Sequence, residues 1–199
     1  MKKFELTNEF ITNMFGTKLF RIRALVEFGD VEAGELGGYV EKESNLGHDD
    51  NAWVYDNAWV YGNARVYDNA WVYGDAQVSG DARVYGNTRV YGNAWVYGNA
   101  RVYGNAWVYG NAQVCSDEDY AYAHGFGSVN RTTTFFRLKD GGVGVRCGCF
   151  YGTLAQFRDK IRETHGETKK AQEYLMLADL MELRFEEDEN EVGNRKYVE

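Results

Sequence analysis

The sequence predicts a mainly β protein, a parallel coil of short strands followed by a small α+β module, and three observations carry that reading. The phrase Asn/Asp-Ala-X-Val-Tyr-Gly, as in "YGNARVYGNAWVYGNAQV" from Tyr97 to Val114, recurs from Asn51 through eleven copies, with Thr88 once in place of Ala. A fixed short period of this kind marks a solenoid. The chain contains no proline, which suits a body whose backbone N–H groups nearly all join ladders. After the last repeat the pattern changes to two β-rich runs and then to helical spacing.

Residues 1–50 read as an N-terminal strand and cap segment. Val40 and Leu46 stand six apart and lead into Ala52, so "GGYVEKESNL" reads as an irregular first turn or cap. In residues 51–115, Ala and Val of each phrase are two apart and flank a variable residue, so on an extended segment both point to one face. That face is the inside, because five Trp and most of the fifteen Tyr exceed the volume of a narrow interior. The Gly-Asn or Gly-Asp step after Tyr turns each corner, since Gly and Asn tolerate left-handed backbone angles.

The phrase resembles the hexapeptide repeat of left-handed β-helices, with aliphatic Val at the central inward position and Ala or Thr two residues before it. The resemblance implies three hexads per triangular turn, between three and four turns in all, and roughly 17 Å of regular solenoid at about 4.8 Å per turn. The flanks, "RIRALVEFGDVEAGELGGYVEKESNL" and "NRTTTFFRLKDGGVGVRCGCFYGTLAQFRDKIRETHG", resemble those of bacteriophage and prophage hexapeptide-repeat proteins. This implies an origin rather than an activity, and no functional residue carries over.

Residues 116–186 read as a separate α+β unit. "TTTFFRLK" and "VGVRCGCF" form a hairpin through Asp140-Gly141-Gly142. Thr153 and Gln156 make a capping box, Leu154, Phe157 and Ile161 mark one helical face, and Gly166 stops that helix. A second helix starts near Thr168 and buries Ala171, Tyr174, Leu175, Ala178 and Met181. Residues 187–199, an acidic tail, read as solvated and disordered.

The net charge of −8 speaks against duplex nucleic acid as a partner, and it resides in the flanks: within the repeats Arg65, Arg83, Arg89 and Arg101 balance Asp56, Asp68, Asp75 and Asp81. No 18-residue apolar run and no signal peptide are visible, and three cysteines are too few for a disulfide scaffold. The expected location is the cytoplasm of a bacterial host cell, with no membrane partner.

Acyltransferases on hexapeptide β-helices resemble one another in placing a catalytic His on or beside the coils, yet the repeats hold no His; His48, His124 and His165 all lie outside them. No catalytic residue is therefore assigned. Cys147 and Cys149, read as sharing one strand face, and His165 match no strong zinc pattern and read as structural, so neither metal nor cofactor is expected. "KDGGVGVRCG" lacks the Lys-Ser/Thr step of a phosphate loop.

Copies eighteen apart define three outward columns: Trp53, Trp71, Arg89 and Trp107; Trp59, Gln77, Trp95 and Gln113; and Arg65, Arg83 and Arg101. The tryptophans Trp53, Trp71, Trp107, Trp59 and Trp95 are expected to be covered by another subunit or by the terminal segments, which favours a homo-oligomer, most simply a trimer. Three arginines about 4.8 Å apart repel by roughly 0.9 kcal/mol per neighbouring pair in water. Arg65, Arg83 and Arg101, with Tyr67, Tyr85 and Tyr103, are therefore the expected ligand-binding residues for an anion. The resulting expectation is a non-enzymatic, host-directed binding protein that blocks or sequesters a bacterial immune component through a nucleotide-like anion or a protein surface. The rival classes are an acyltransferase-like enzyme and a structural virion or assembly protein.

Overall fold

The computed structural model describes residues 2–127 and 130–186. Strands β1 (Phe4–Thr12), β2 (Lys18–Ala24) and β3 (Leu36–Val40) precede eleven two-residue strands, β4 to β14, one per repeat from Trp53–Val54 to Gln113–Val114. Each of these pairs in parallel with its counterpart eighteen residues on: Trp53 with Trp71, Trp59 with Gln77, Arg65 with Arg83. Three stacked sheets thus enclose a parallel β-solenoid of about four turns.

The inward assignment holds throughout. Every repeat Ala and Val is 0% exposed. Thr88 is equally buried, and its Oγ1 donates to the Tyr85 carbonyl at 2.7 Å, so the extra hydroxyl is satisfied. Corner glycines such as Gly62, Gly74 and Gly86 have φ between +68° and +73°, a region that costs a side chain about 1–2 kcal/mol. Asp56 and Asp68 occupy two of these corners at φ +53° and +58°. Their carboxylates accept from the next turn, Asp56 Oδ2 from the Gly74 N–H at 3.2 Å and Asp68 Oδ2 from the Gly86 N–H at 3.1 Å, which offsets the strain.

"GGYVEKESNL" is the first turn, as expected: Val40 pairs with Val60 and Leu46 bridges Val66. Side chains replace the missing turn beneath it. Asn45, fully buried, donates through Nδ2 to the carbonyls of Gly62 (3.1 Å) and Ala64 (2.8 Å), and Glu41 Oε2 accepts from the Gly62 N–H at 2.6 Å. The hairpin β1–β2 continues through β3 onto the Trp59 sheet, making it seven-stranded. Lys3 Nζ donates to the carbonyls of Ala52 (2.8 Å) and Asp50 (3.2 Å) and lies 4.5 Å from the Phe28 ring centre.

At the other end β15 (Tyr120–Phe126), β16 (Arg131–Arg137), β17 (Val143–Cys147) and β18 (Phe150–Thr153) form an antiparallel meander. One face closes the solenoid: Phe136 and Tyr120 join its core, Leu138 bridges Ala112, and Thr134 Oγ1 accepts from the Trp107 N–H at 2.9 Å. The other face packs on α1 (Leu154–His165) and α2 (Lys169–Phe185) around Phe135, Val145, Phe157 and Tyr174. The predicted hairpin, the Thr153–Gln156 capping box, the Gly166 stop and the Thr168 start are all present. Of the predicted inner face of α2, Leu175 alone is only partly buried.

Two expectations need correction. The module is not detached, because Phe136 is part of the solenoid core and its sheet serves as the cap. Cys147 and Cys149 do not share a strand face: Cys147 ends β17, whereas Cys149 lies in the two-residue turn before β18, where Gly148 has φ +58°. The acidic tail, residues 187–199, lies outside the described residues. No helix among the described residues is long and apolar enough to cross a membrane.

This packing gives stability a two-phase pH dependence. Burial lowers the Lys3 ammonium to about 8, so between pH 8 and 10.5 the unfolded chain holds more protons and stability rises with pH. Burial pushes Tyr55, Tyr73 and Tyr174 up to about 12, so above pH 10 the folded chain holds more protons and stability falls. Urea midpoints measured from pH 7 to 12 should therefore climb slightly, peak near pH 10 and then drop. A continuous fall from pH 8 would show that Lys3 is not buried beneath the first turn.

Candidate functional site

The Arg/Tyr face is built on the third sheet, where Arg65 pairs in register with Arg83 and Arg83 with Arg101. Alternation with the buried Val forces each guanidinium outward, and all three arginines are exposed. Among the described residues no carboxylate pairs with any of them. Asp117, at the end of the column, instead accepts from the Arg101 backbone N–H at 2.6 Å, and the Tyr120 hydroxyl donates to the Arg101 carbonyl at 2.7 Å. These two bonds close the sheet edge and leave the side chain to solvent.

Tyr67, Tyr85 and Tyr103 form the expected partner column, but their faces are turned to one another. Tyr67 and Tyr85 stack at 4.9 Å and 4°, Tyr85 and Tyr103 at 5.4 Å and 17°. The Arg65 guanidinium lies 5.7 Å from the Tyr67 ring centre. Burial raises the Tyr67 hydroxyl above its ordinary pKa. The column thus offers a ligand hydroxyls and ring edges, not open stacking planes.

The tryptophans divide. Trp53, expected to be covered by another subunit or by the terminal segments, is covered by the latter: it is fully buried, edge-on to Phe28 at 5.3 Å and to Phe4 at 6.2 Å, both from the N-terminal segment. Trp71 and Trp107 are half-buried, with Arg89 between them at 4.8 and 4.9 Å from their ring centres. Trp59 is half-buried, and Trp95, beside Gln77 and Gln113, is 44% exposed.

The histidines have separate roles. His48 Nδ1 accepts from the Lys3 backbone N–H at 3.1 Å while its ring stacks on Phe4 at 4.5 Å, which fixes the N-terminal cap. His165 stacks on Tyr174 at 5.9 Å. His124 Nδ1 lies 3.0 Å from Thr132 Oγ1 at the far end of the β15–β16 hairpin. Cys147 Sγ lies 3.2 Å from the Thr133 hydroxyl, and among the described residues no group of His, Cys, Asp or Glu is placed to hold a metal.

Sequence reasoning missed one association. The fold sets Arg146 of β17 over Trp107 at 5.5 Å, beside Arg89. Its only local signal is Arg89 itself, a cation interrupting a Trp column.

The family model of the YdcK beta solenoid repeat matches residues 58–74, 76–92, 94–110 and 100–116. These windows lie within the repeats and cover less than half of the chain, so the similarity is one of repeat architecture. No curated protein matches the chain.

Proposed function

We propose that this chain is a non-enzymatic binding protein, a hexapeptide coil left-handed like those its repeats resemble, which recognises an acidic partner through the Arg65, Arg83 and Arg101 ladder. The observation that carries this reading is the ladder itself: three exposed guanidiniums in register, without carboxylate partners among the described residues, on a body whose repeat Ala and Val are fully buried. A rigid scaffold lowers the ordering cost of binding, and a guanidinium offers forked donors to carboxylate or phosphate. The repeat family matched is described by its architecture. In keeping with the phage-like flanks, the proposed partner is a component of a bacterial host, bound in the cytoplasm through an acidic protein surface.

The test compares wild type with the Arg65→Ala, Arg83→Ala, Arg101→Ala triple variant, using a fluorescent poly-glutamate peptide in low salt and affinity capture from bacterial lysate. Exposed ion pairs contribute about 0.2–1 kcal/mol each, so the triple variant should bind the peptide about 10-fold more weakly. Its melting temperature should stay within a few degrees, because none of these side chains is in the core. The difference should shrink at high salt. Unchanged peptide affinity would leave the ladder as a solvated surface.

A further inference from the structure

A cleft of about 540 Å³ opens on a different face, where the β15–β16 and β17–β18 hairpins meet the last coils. Its wall brings together Arg89, Trp107, His124, Arg131 and Arg146, and among the described residues no Asp or Glu lines it. In a chain of net charge −8 this is a local reversal of sign. Among the described residues none of the three arginines forms an ion pair.

Two of the guanidiniums are held in place by aromatic rings. Arg89 lies between the Trp71 and Trp107 rings at 4.8 and 4.9 Å. Arg146 lies over Trp107 at 5.5 Å and Tyr109 at 6.0 Å, with Nη1 donating to the Phe150 carbonyl at 3.1 Å. Stacking occupies the face of a guanidinium and leaves its N–H edge for an oxygen in the plane. The Arg146 Nε is buried and has no acceptor among the described residues. Arg131 crosses the Gly148 turn, where a Cβ would land on its Nη1. That turn favours glycine for its φ of +58°.

We propose that this cleft binds a small molecule carrying two or more linked phosphates, with Arg89, Arg131 and Arg146 as its donors. Linked phosphates present several oxygens to more than one guanidinium, and arginine pairs with them bidentately. The volume lies within the roughly 300–1,000 Å³ of small-molecule sites and is far more than a single phosphate group fills, given about 30 Å³ per water. The site shares no residue with the exposed Arg65 column, so it stands independently of that proposal.

The test is calorimetric titration of the full chain with two probes, inorganic pyrophosphate and adenosine triphosphate, in low salt. Wild type should bind at least one of them. Arg131→Gln, at the exposed start of β16, should weaken binding about 10-fold, and the Arg89→Gln, Arg131→Gln double variant should abolish it, with circular dichroism showing that both remain folded. The Arg65, Arg83 and Arg101 triple variant should bind within twofold of wild type. Equal affinity for the two probes identifies a free polyphosphate as the ligand class, and tighter binding of adenosine triphosphate identifies a nucleotide. Failure of both probes to bind wild type, retention of binding in folded Arg131→Gln, or loss in the ladder variant overturns the proposal.

Discussion

Val84→Asp is expected to abolish the cooperative thermal transition, whereas Tyr85→Asp, one residue along the chain, should leave it in place. Val84 is 0% exposed in the middle of the solenoid, with Val66 and Val102 as its register neighbours. An ionised carboxylate there meets only Ala and Val, and even neutralised it buries a polar group without a partner, at about 2–7 kcal/mol. A domain has about 5–15 kcal/mol in total, so one such substitution consumes much of it. The damage is not local. Each turn of a solenoid contacts only its neighbours, so a break at this level leaves two short stacks, each exposing an uncapped edge. Tyr85 by contrast is half-buried between Tyr67 and Tyr103, and its loss removes two ring stacks worth about 0.5–1.5 kcal/mol each. Circular dichroism melts with limited proteolysis separate the two cases. Loss of the transition in Tyr85→Asp with its retention in Val84→Asp would mean that the strand faces are inverted.

The solenoid was legible because its rule is local and repeated. Period six with Ala and Val two apart determines which side is inside, and the register of eighteen follows once the corners recur in threes. The α1 start was legible for a similar reason, since Thr153 and Gln156 satisfy each other's backbone within four residues. What the sequence did not display is how the ends are closed. Leu46 and Val54 are eight apart where the repeats have six, and nothing in that loop shows that Lys3 will reach the Ala52 carbonyl. The fate of Trp53 depends on Phe4 and Phe28, which lie in segments with no repeat to place them. The basic cleft is less legible still. Arg89, Arg131 and Arg146 belong to a coil and to two hairpins, and only the docking of Phe136 into the last turn brings them together.

Trp53→Ala is the second large effect, and it distinguishes an internal cap from an interface between copies. Trp53 is the largest fully buried side chain in the protein, packed against Phe4 and Phe28 where the N-terminal segment covers the first turn. Truncating a buried aromatic side chain of this size costs about 3–5 kcal/mol, which for a chain of this length lowers the melting temperature by roughly 10 °C. Trp53→Phe should recover most of that loss. It keeps the edge-on ring contacts, and it removes an indole N–H that is buried without an acceptor among the described residues. Trp95 provides the contrast, because at 44% exposed on the second face it contributes little to the fold of a single chain. Trp95→Ala should leave the melt within a few degrees and, if that face joins copies into the proposed trimer, should lower the sedimentation coefficient at micromolar concentration. Trp53→Ala should do the reverse, melting early at an unchanged sedimentation coefficient. A Trp53→Ala protein that melts like wild type but dissociates would return Trp53 to the interface and contradict the N-terminal cap.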